Sequence, residues 1–302
     1  MSFDQRLLLV HAHPDDECIG NGATMAKYVA EGRGVTVVTS NAGEMGEVLV
    51  PALEHLAADR DDALGEHRRG ELTDAMAALG VTDFRFLGGY GTYRDSGMAW
   101  HEDGHAIAAP DTPDNAFSKV DLTEAADRLV EIIREVQPQV LVTYDPFGGY
   151  GHPDHIQAHR VAMYAAQLAA VPSYRLELGE PWEISKIYWN AMSWSEMREG
   201  LRVARDSGIE TPFGDTDLDG PPPFFAVADD ALAARIDGTE FFEQKLAALR
   251  AYPTQIAADG PFFSMANAQG GSAFGYEVYR LAAGTKGPTG PSGFEEDLFA
   301  GL

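Results

Sequence analysis

The chain has 302 residues, 45% of them hydrophobic, and its 47 acidic against 22 basic side chains give a formal net charge of −25. That composition supports one large or two modest cores. It argues against nucleic acid or an anionic membrane surface as partner, since both require basic patches. No apolar stretch approaches the roughly 18 residues of a membrane span. The opening residues lack a basic or apolar leader, so the expected location is cytoplasmic.

Residues 6–11 contain the run Leu7-Leu8-Leu9-Val10 and predict a buried strand. The next residues are His11-Ala12-His13-Pro14-Asp15-Asp16-Glu17, after which residues 17–32 predict a helix closed by Gly32. Residues 34–39 predict a second strand, making a right-handed parallel crossover. The segment Gly43-Glu44-Met45-Gly46-Glu47 has neither a phosphate-loop lysine nor GxGxxG spacing, so it is not read as a nucleotide site. Residues 52–79 read as mostly helical, 83–87 as a short strand, and 88–119 as one long irregular loop.

Residues 121–136 predict an amphipathic helix ended by Pro138, and 139–144 predict a strand. That strand delivers Tyr150-Gly151-His152-Pro153-Asp154-His155, followed by a helix over 153–170. Beyond it, 187–189, 224–227 and 276–281 read as strands, 214–223 as a loop and 231–251 as helical. The expected fold is α/β and Rossmann-like, a mostly parallel sheet flanked by helices with a smaller C-terminal cap. Residues 1–170 form the expected catalytic core. Residues 171–302 are expected to pack on it and shape the substrate cavity.

The two His/Asp clusters each follow a strand, where ligands collect in open parallel sheets. His13 and Asp16 are spaced to bind one ion, and His152 and His155 share a helical face three residues apart. Pro153 suits a first helical position. Read singly, each cluster is also what a turn or a helix cap looks like. Cys18 is the only cysteine, which excludes an intrachain disulfide, and it reads as a small buried residue on the first helix.

The segments His13-Pro14-Asp15-Asp16-Glu17 and His152-Pro153-Asp154-His155 resemble the metal-dependent N-acetylglucosaminyl-phosphatidylinositol de-N-acetylase superfamily. Arg94-Asp95-Ser96-Gly97-Met98, Tyr144 to His152 and the tail Asp297 to Leu302 are similar to its branch of mycothiol-pathway deacetylases, which act on a GlcNAc-inositol pseudodisaccharide. A sister branch of thiol-conjugate amidases shares the metal motifs and typically has Pro where this chain has Gly151. The resemblance implies a small amino-sugar substrate, one Zn²⁺ with Fe²⁺ as the alternative, and His13, Asp16 and His155 as ligands. Asp15, beside a ligand, is then free for proton work as general base. His152, as an imidazolium, is expected to stabilise the oxyanion or protonate the leaving amine. Asp154 is expected to orient His152. The family pattern brings Tyr150 to the substrate carbonyl and Arg68, Asp95 and Glu47 to sugar hydroxyls. His159 reads as an ordinary helix residue, and His11 stays unassigned on the face it shares with His13. A homo-oligomer is left open.

Overall fold

The computed structural model describes residues 3–209, 216–260, 263–264, 266 and 274–302. Its strands, in chain order, are β1 (Arg6–His11), β2 (Gly34–Thr39), β3 (Asp83–Phe86), β4 (Met98–Trp100), β5 (Ala106–Ala108), β6 (Val140–Thr143), β7 (Lys186–Ala191), β8 (Ala234–Asp237) and β9 (Tyr276–Ala283). The α-helices are α1 (Asp16–Ala30), α2 (Leu64–Leu79), α3 (Leu122–Val136), α4 (Gly148–Gly151), α5 (Pro153–Ala169), α6 (Trp194–Asp206) and α7 (Phe242–Arg250).

One sheet has the order β3-β2-β1-β6-β7-β9-β8, parallel from β3 to β7, with β9 antiparallel to both β7 and β8. β1 is buried on both faces, as a central parallel strand must be. Leu7 and Leu9 pack with Met25, Tyr28, Leu72, Met76 and Leu249 on one side. Leu8 and Val10 pack with Leu129, Ile133, Val161 and Ala165 on the other. The period-two alternation of a single strand thus feeds two helical layers, α1, α2 and α7 against α3 and α5.

The chain runs outward from β1 through β2 to β3, then returns to β6 on the other side of β1. Strand order therefore reverses between β1 and β6. A crevice opens at the carboxyl ends of two strands that diverge in this way. Both His/Asp clusters start there.

Three expectations need correction. Residues 88–119 are not one irregular loop, because β4 and β5 form an antiparallel hairpin inside them and Phe117–Lys119 is a 3-10 turn. Residues 224–227 form no strand; only Val227 makes an isolated bridge, to Ser193. Residues 231–251 are not one helix. Ala234 and Ile236 turn into the core as part of β8, paired with β9, and α7 starts only at Phe242. Alanine-rich sequence favours helix locally, but an open sheet edge captures it. Residues 52–79 divide into a 3-10 turn, Pro51–Leu56, and α2. Of the loop expected over 214–223, residues 214 and 215 lie outside the described residues. β7, β8 and β9 all lie beyond residue 170, yet they continue the sheet begun by β1, β2, β3 and β6.

Candidate metal centre and catalytic cleft

His13 and Asp16 stand between β1 and the first turn of α1. After β6, the Asp145 carboxylate accepts the N–H groups of Phe147 and Gly149, both at 3.0 Å, and folds the chain into α4. His152 then caps α5, with Pro153 at its first position. His155 follows on the first turn.

His13 Nδ1, Asp16 Oδ2 and His155 Nε2 form a triangle with all three edges at 3.3 Å. Ligands about 2.0–2.1 Å from a tetrahedral ion are separated by roughly 3.3 Å. The opposite ring nitrogens agree with that use. His155 Nδ1 lies 3.1 Å from the Gly148 carbonyl, an acceptor only, so Nδ1 holds the proton and Nε2 offers its lone pair. His13 Nε2 faces Asp154 Oδ2 at 3.3 Å and Asp95 Oδ1 at 3.5 Å, leaving Nδ1 for the ion. Gly148 permits this close approach: its φ is +69°, and a Cβ there would sit 2.7 Å from that of His155.

Charge is concentrated in this pocket. Burial disfavours a charged His13, but Asp95, Asp154 and Asp16 outweigh it and raise its pKa well above the ordinary imidazole value. Burial likewise opposes a charged Asp16, and His155 and His13 outweigh it, holding the carboxyl well below the usual range. A divalent cation would replace the imidazole proton in the same field.

Asp16 Oδ2 also accepts the hydroxyl of Tyr144 at 2.7 Å, and that hydroxyl accepts the Ala12 N–H at 2.9 Å. The Tyr144 ring stacks on His155, centroids 4.3 Å apart. Asp154 is fully buried and accepts Asn41 Nδ2 at 3.0 Å, the Ser96 N–H at 2.9 Å and the Ser96 hydroxyl. Its carboxylate therefore braces His13, not His152 as expected. The Asp154 backbone N–H, 3.1 Å from His152 Nδ1, is the group that meets His152.

That contact makes Nε2 the protonated nitrogen of a neutral His152. Burial, then the neighbouring His13 and His155, push its pKa down to about 2, which favours the neutral ring over the expected imidazolium. The Tyr150 ring lies 5.0 Å from that of His155, and Trp100 of the hairpin lies 6.0 Å from Tyr150.

Asp15 has φ +116°, rare for a residue with a Cβ. Two groups hold it there. Arg68 Nη2 donates to Asp15 Oδ2 at 3.0 Å and also to the Pro14 carbonyl, while Nη1 donates to the Gly43 carbonyl at 2.9 Å. Glu17 Oε2 accepts the Asp15 N–H at 3.1 Å. Glu17 Oε1 in turn accepts the Tyr252 hydroxyl at 2.6 Å and the Cys18 thiol at 3.0 Å. Burial pushes the Asp15 carboxyl up to about 8; Arg68 and His13 oppose the shift, and Asp16 and Glu17 add to it.

Of the residues expected to grip sugar, Arg68 and Asp95 are buried, against Asp15 and His13 respectively, and only Glu47 is exposed. His159 Nδ1 donates to the Tyr144 carbonyl, 2.9 Å away, outside the ligand triangle. His11 pairs with Asn21 Nδ2 at 3.1 Å. The sequence reading attaches no role to Asn41 or Tyr252, and takes Ser96 and Tyr144 only as members of the segments that carry the resemblance. For Tyr144, its place at the end of the strand that delivers the second cluster was an available signal.

Residues 8–166 match the family described as PIG-L: GlcNAc-PI de-N-acetylase. A 1D-myo-inositol 2-acetamido-2-deoxy-alpha-D-glucopyranoside deacetylase of Nocardioides sp. is 67% identical over 302 residues, covering 100% of each chain. A protein of the same description from Kribbella flavida is 58% identical over 299 residues, covering 99% of this chain and 98% of its own. The fold is similar to that of the N,N'-diacetylchitobiose deacetylase from Pyrococcus horikoshii, with a TM-score of 0.60 at 19% identity over 92% of this chain and 83% of that one.

Proposed function

The chain belongs to the GlcNAc-PI de-N-acetylase family, and from that premise we propose that it removes the acetyl group of 1D-myo-inositol 2-acetamido-2-deoxy-α-D-glucopyranoside, releasing acetate and the free amine in mycothiol biosynthesis. The observation that carries this reading is the 67% identity to such a deacetylase along the full length of both chains.

We assign the ion to His13, Asp16 and His155, and take it to be Zn²⁺, with Fe²⁺ as the alternative that the same donors would accept. When bound, such an ion lowers the pKa of water toward 7 and polarises an amide carbonyl. Asp15 accepts the proton of the attacking water. Its raised pKa suits that task, and a nearby cation draws the carboxyl down toward the ionised form. Arg68 and Glu17 hold Asp15 in position. Neutral His152 donates its Nε2–H to the developing oxyanion, and Tyr150 adds a hydroxyl on the same side. Asp154 and Asp95 fix the ring of His13.

For the sugar, Glu47 is the open hydroxyl contact, while Arg68 and Asp95 act first on Asp15 and His13. The C-terminal portion shapes this rim: Gln255 Nε2 donates to the Glu47 carbonyl at 2.9 Å, and the Leu49 N–H donates to the Thr254 carbonyl at 3.0 Å. The test is release of free amine by zinc-loaded protein from the pseudodisaccharide and from a mycothiol S-conjugate at equal concentration. Preference for the pseudodisaccharide is the expected result. Preference for the conjugate would transfer the chain to the amidase reading.

A further inference from the structure

A second group of metal-binding side chains lies outside the catalytic triangle, at the tip of the β4–β5 hairpin. We propose that His101, Asp103 and His105 form a weaker site for a divalent transition-metal ion of the zinc class at the rim of the cleft.

The backbone presents these three side chains together. The pairing Trp100↔Ala106 places His101 opposite His105 in the next register position, and the His101 N–H donates to the His105 carbonyl at 2.9 Å. Residues directly opposite on antiparallel strands project to the same face. The Gly104 N–H donates to the His101 carbonyl at 2.9 Å, and Gly104 has φ +83°, which tightens the three-residue turn and brings Asp103 back over the strands. As a result the imidazoles stack with centroids 4.6 Å apart, and Asp103 Oδ2 lies 3.1 Å from His101 Nδ1. One donor atom from each of the three residues falls within 4.8 Å of the others.

Two imidazoles and a carboxylate are the same donor types as in the catalytic triangle, and they suit zinc, nickel or copper better than magnesium or calcium. Exposure makes this site the weaker one. Asp103 is open to water, which competes for the ion, whereas the donors of the catalytic triangle are buried or nearly so. Three ligands on a tight turn leave the remaining coordination positions to solvent. The site adjoins the cleft: His105 lies beside Phe147 and Phe224, and Trp100 on the same hairpin faces Tyr150.

The test uses full-length, tag-free protein already holding one equivalent of Zn²⁺, titrated with Ni²⁺ and, separately, with further Zn²⁺ by calorimetry or equilibrium dialysis. The expected result is one additional equivalent, bound at least 100-fold more weakly than the first. His101→Ala and His105→Ala should each abolish that equivalent, and Asp103→Asn should weaken it several-fold, with the first equivalent and far-ultraviolet circular dichroism unchanged. Absence of a second equivalent up to millimolar metal would overturn the proposal. So would a second equivalent that survives both histidine substitutions, since it would lie elsewhere.

Discussion

At the scale of single residues, the far nitrogen of each histidine decides what the near one can do. Gly148 and the Asp154/Asp95 pair leave lone pairs on His155 and His13 facing inward, whereas the Asp154 N–H leaves a donor on His152. For His13 the tautomer follows from contacts made across the fold, and for His155 and His152 from backbone groups seven and two residues away. The His-Pro-Asp-Asp and His-Pro-Asp-His spacings could be read directly because they are local. The way Asn41 and Ser96 hold Asp154 could not: single asparagines are common in loops, and Ser96 stands in the Arg94–Met98 segment that carries the resemblance with no role attached to it. Replacing Asp15 with Ala should lower turnover by about 10²–10⁴-fold, the usual worth of a general base, with zinc content unchanged by elemental analysis. Loss of the metal along with activity would assign Asp15 to ligand support. Tyr252→Phe, which frees Glu17 at one remove, should lower kcat by a smaller factor and leave KM and metal content alone.

At the scale of elements, the loop from β6 to α5 depends on backbone conformations available only to glycine. Gly151 has φ +97°, and a Cβ there would lie 2.5 Å from the Ala106 carbonyl oxygen of the hairpin. Proline, fixed near φ −65°, cannot occupy that conformation at all. A chain with Pro at this position must therefore carry Tyr150 and His152 on a differently shaped loop. Gly151→Ala should cut kcat at least tenfold while the protein stays folded, as steady-state kinetics and thermal melting would show; unchanged kinetics would mean that the loop adapts freely. Elements whose hydrophobic period matched their packing, such as β1 and α3, were read correctly from sequence. β8 was not, because its conformation comes from pairing with β9, some 40 residues away by the register.

At the scale of the molecule, the C-terminal tail secures the first helix and the strand edge. Asp297 accepts two hydrogen bonds from Arg33, at 2.7 and 2.9 Å, and one from Tyr28 at 2.9 Å. Burial raises the Asp297 carboxyl, but Arg33, with the Phe299 N–H and the Tyr28 hydroxyl, outweighs it and holds the pKa below the ordinary value. A carboxyl depressed in this way adds stability above the unfolded value of about 4 and loses it as pH falls through the folded one. Asp297→Asn should therefore cost about 1–2 kcal/mol near neutrality, and the gap to the parent should close below about pH 4 in denaturant titrations. A gap independent of pH would make the contact one of shape alone. Deeper in, the Glu277 carboxylate pairs with Lys245 at 2.7 Å and accepts the N–H groups of Ala23 and Thr24 within α1. Glu277→Ala would leave Lys245 as a buried unpaired charge, a loss of roughly 3–5 kcal/mol that should appear as a large drop in Tm.

The placement of the site at the reversal of strand order also has a consequence in time. During synthesis His13 and Asp16 leave the ribosome long before His155, so a nascent chain carries two of the three proposed donors well before the last. The three come together only once β6 has docked beside β1, at a stage when β7, β8 and β9 have still to be added to the sheet.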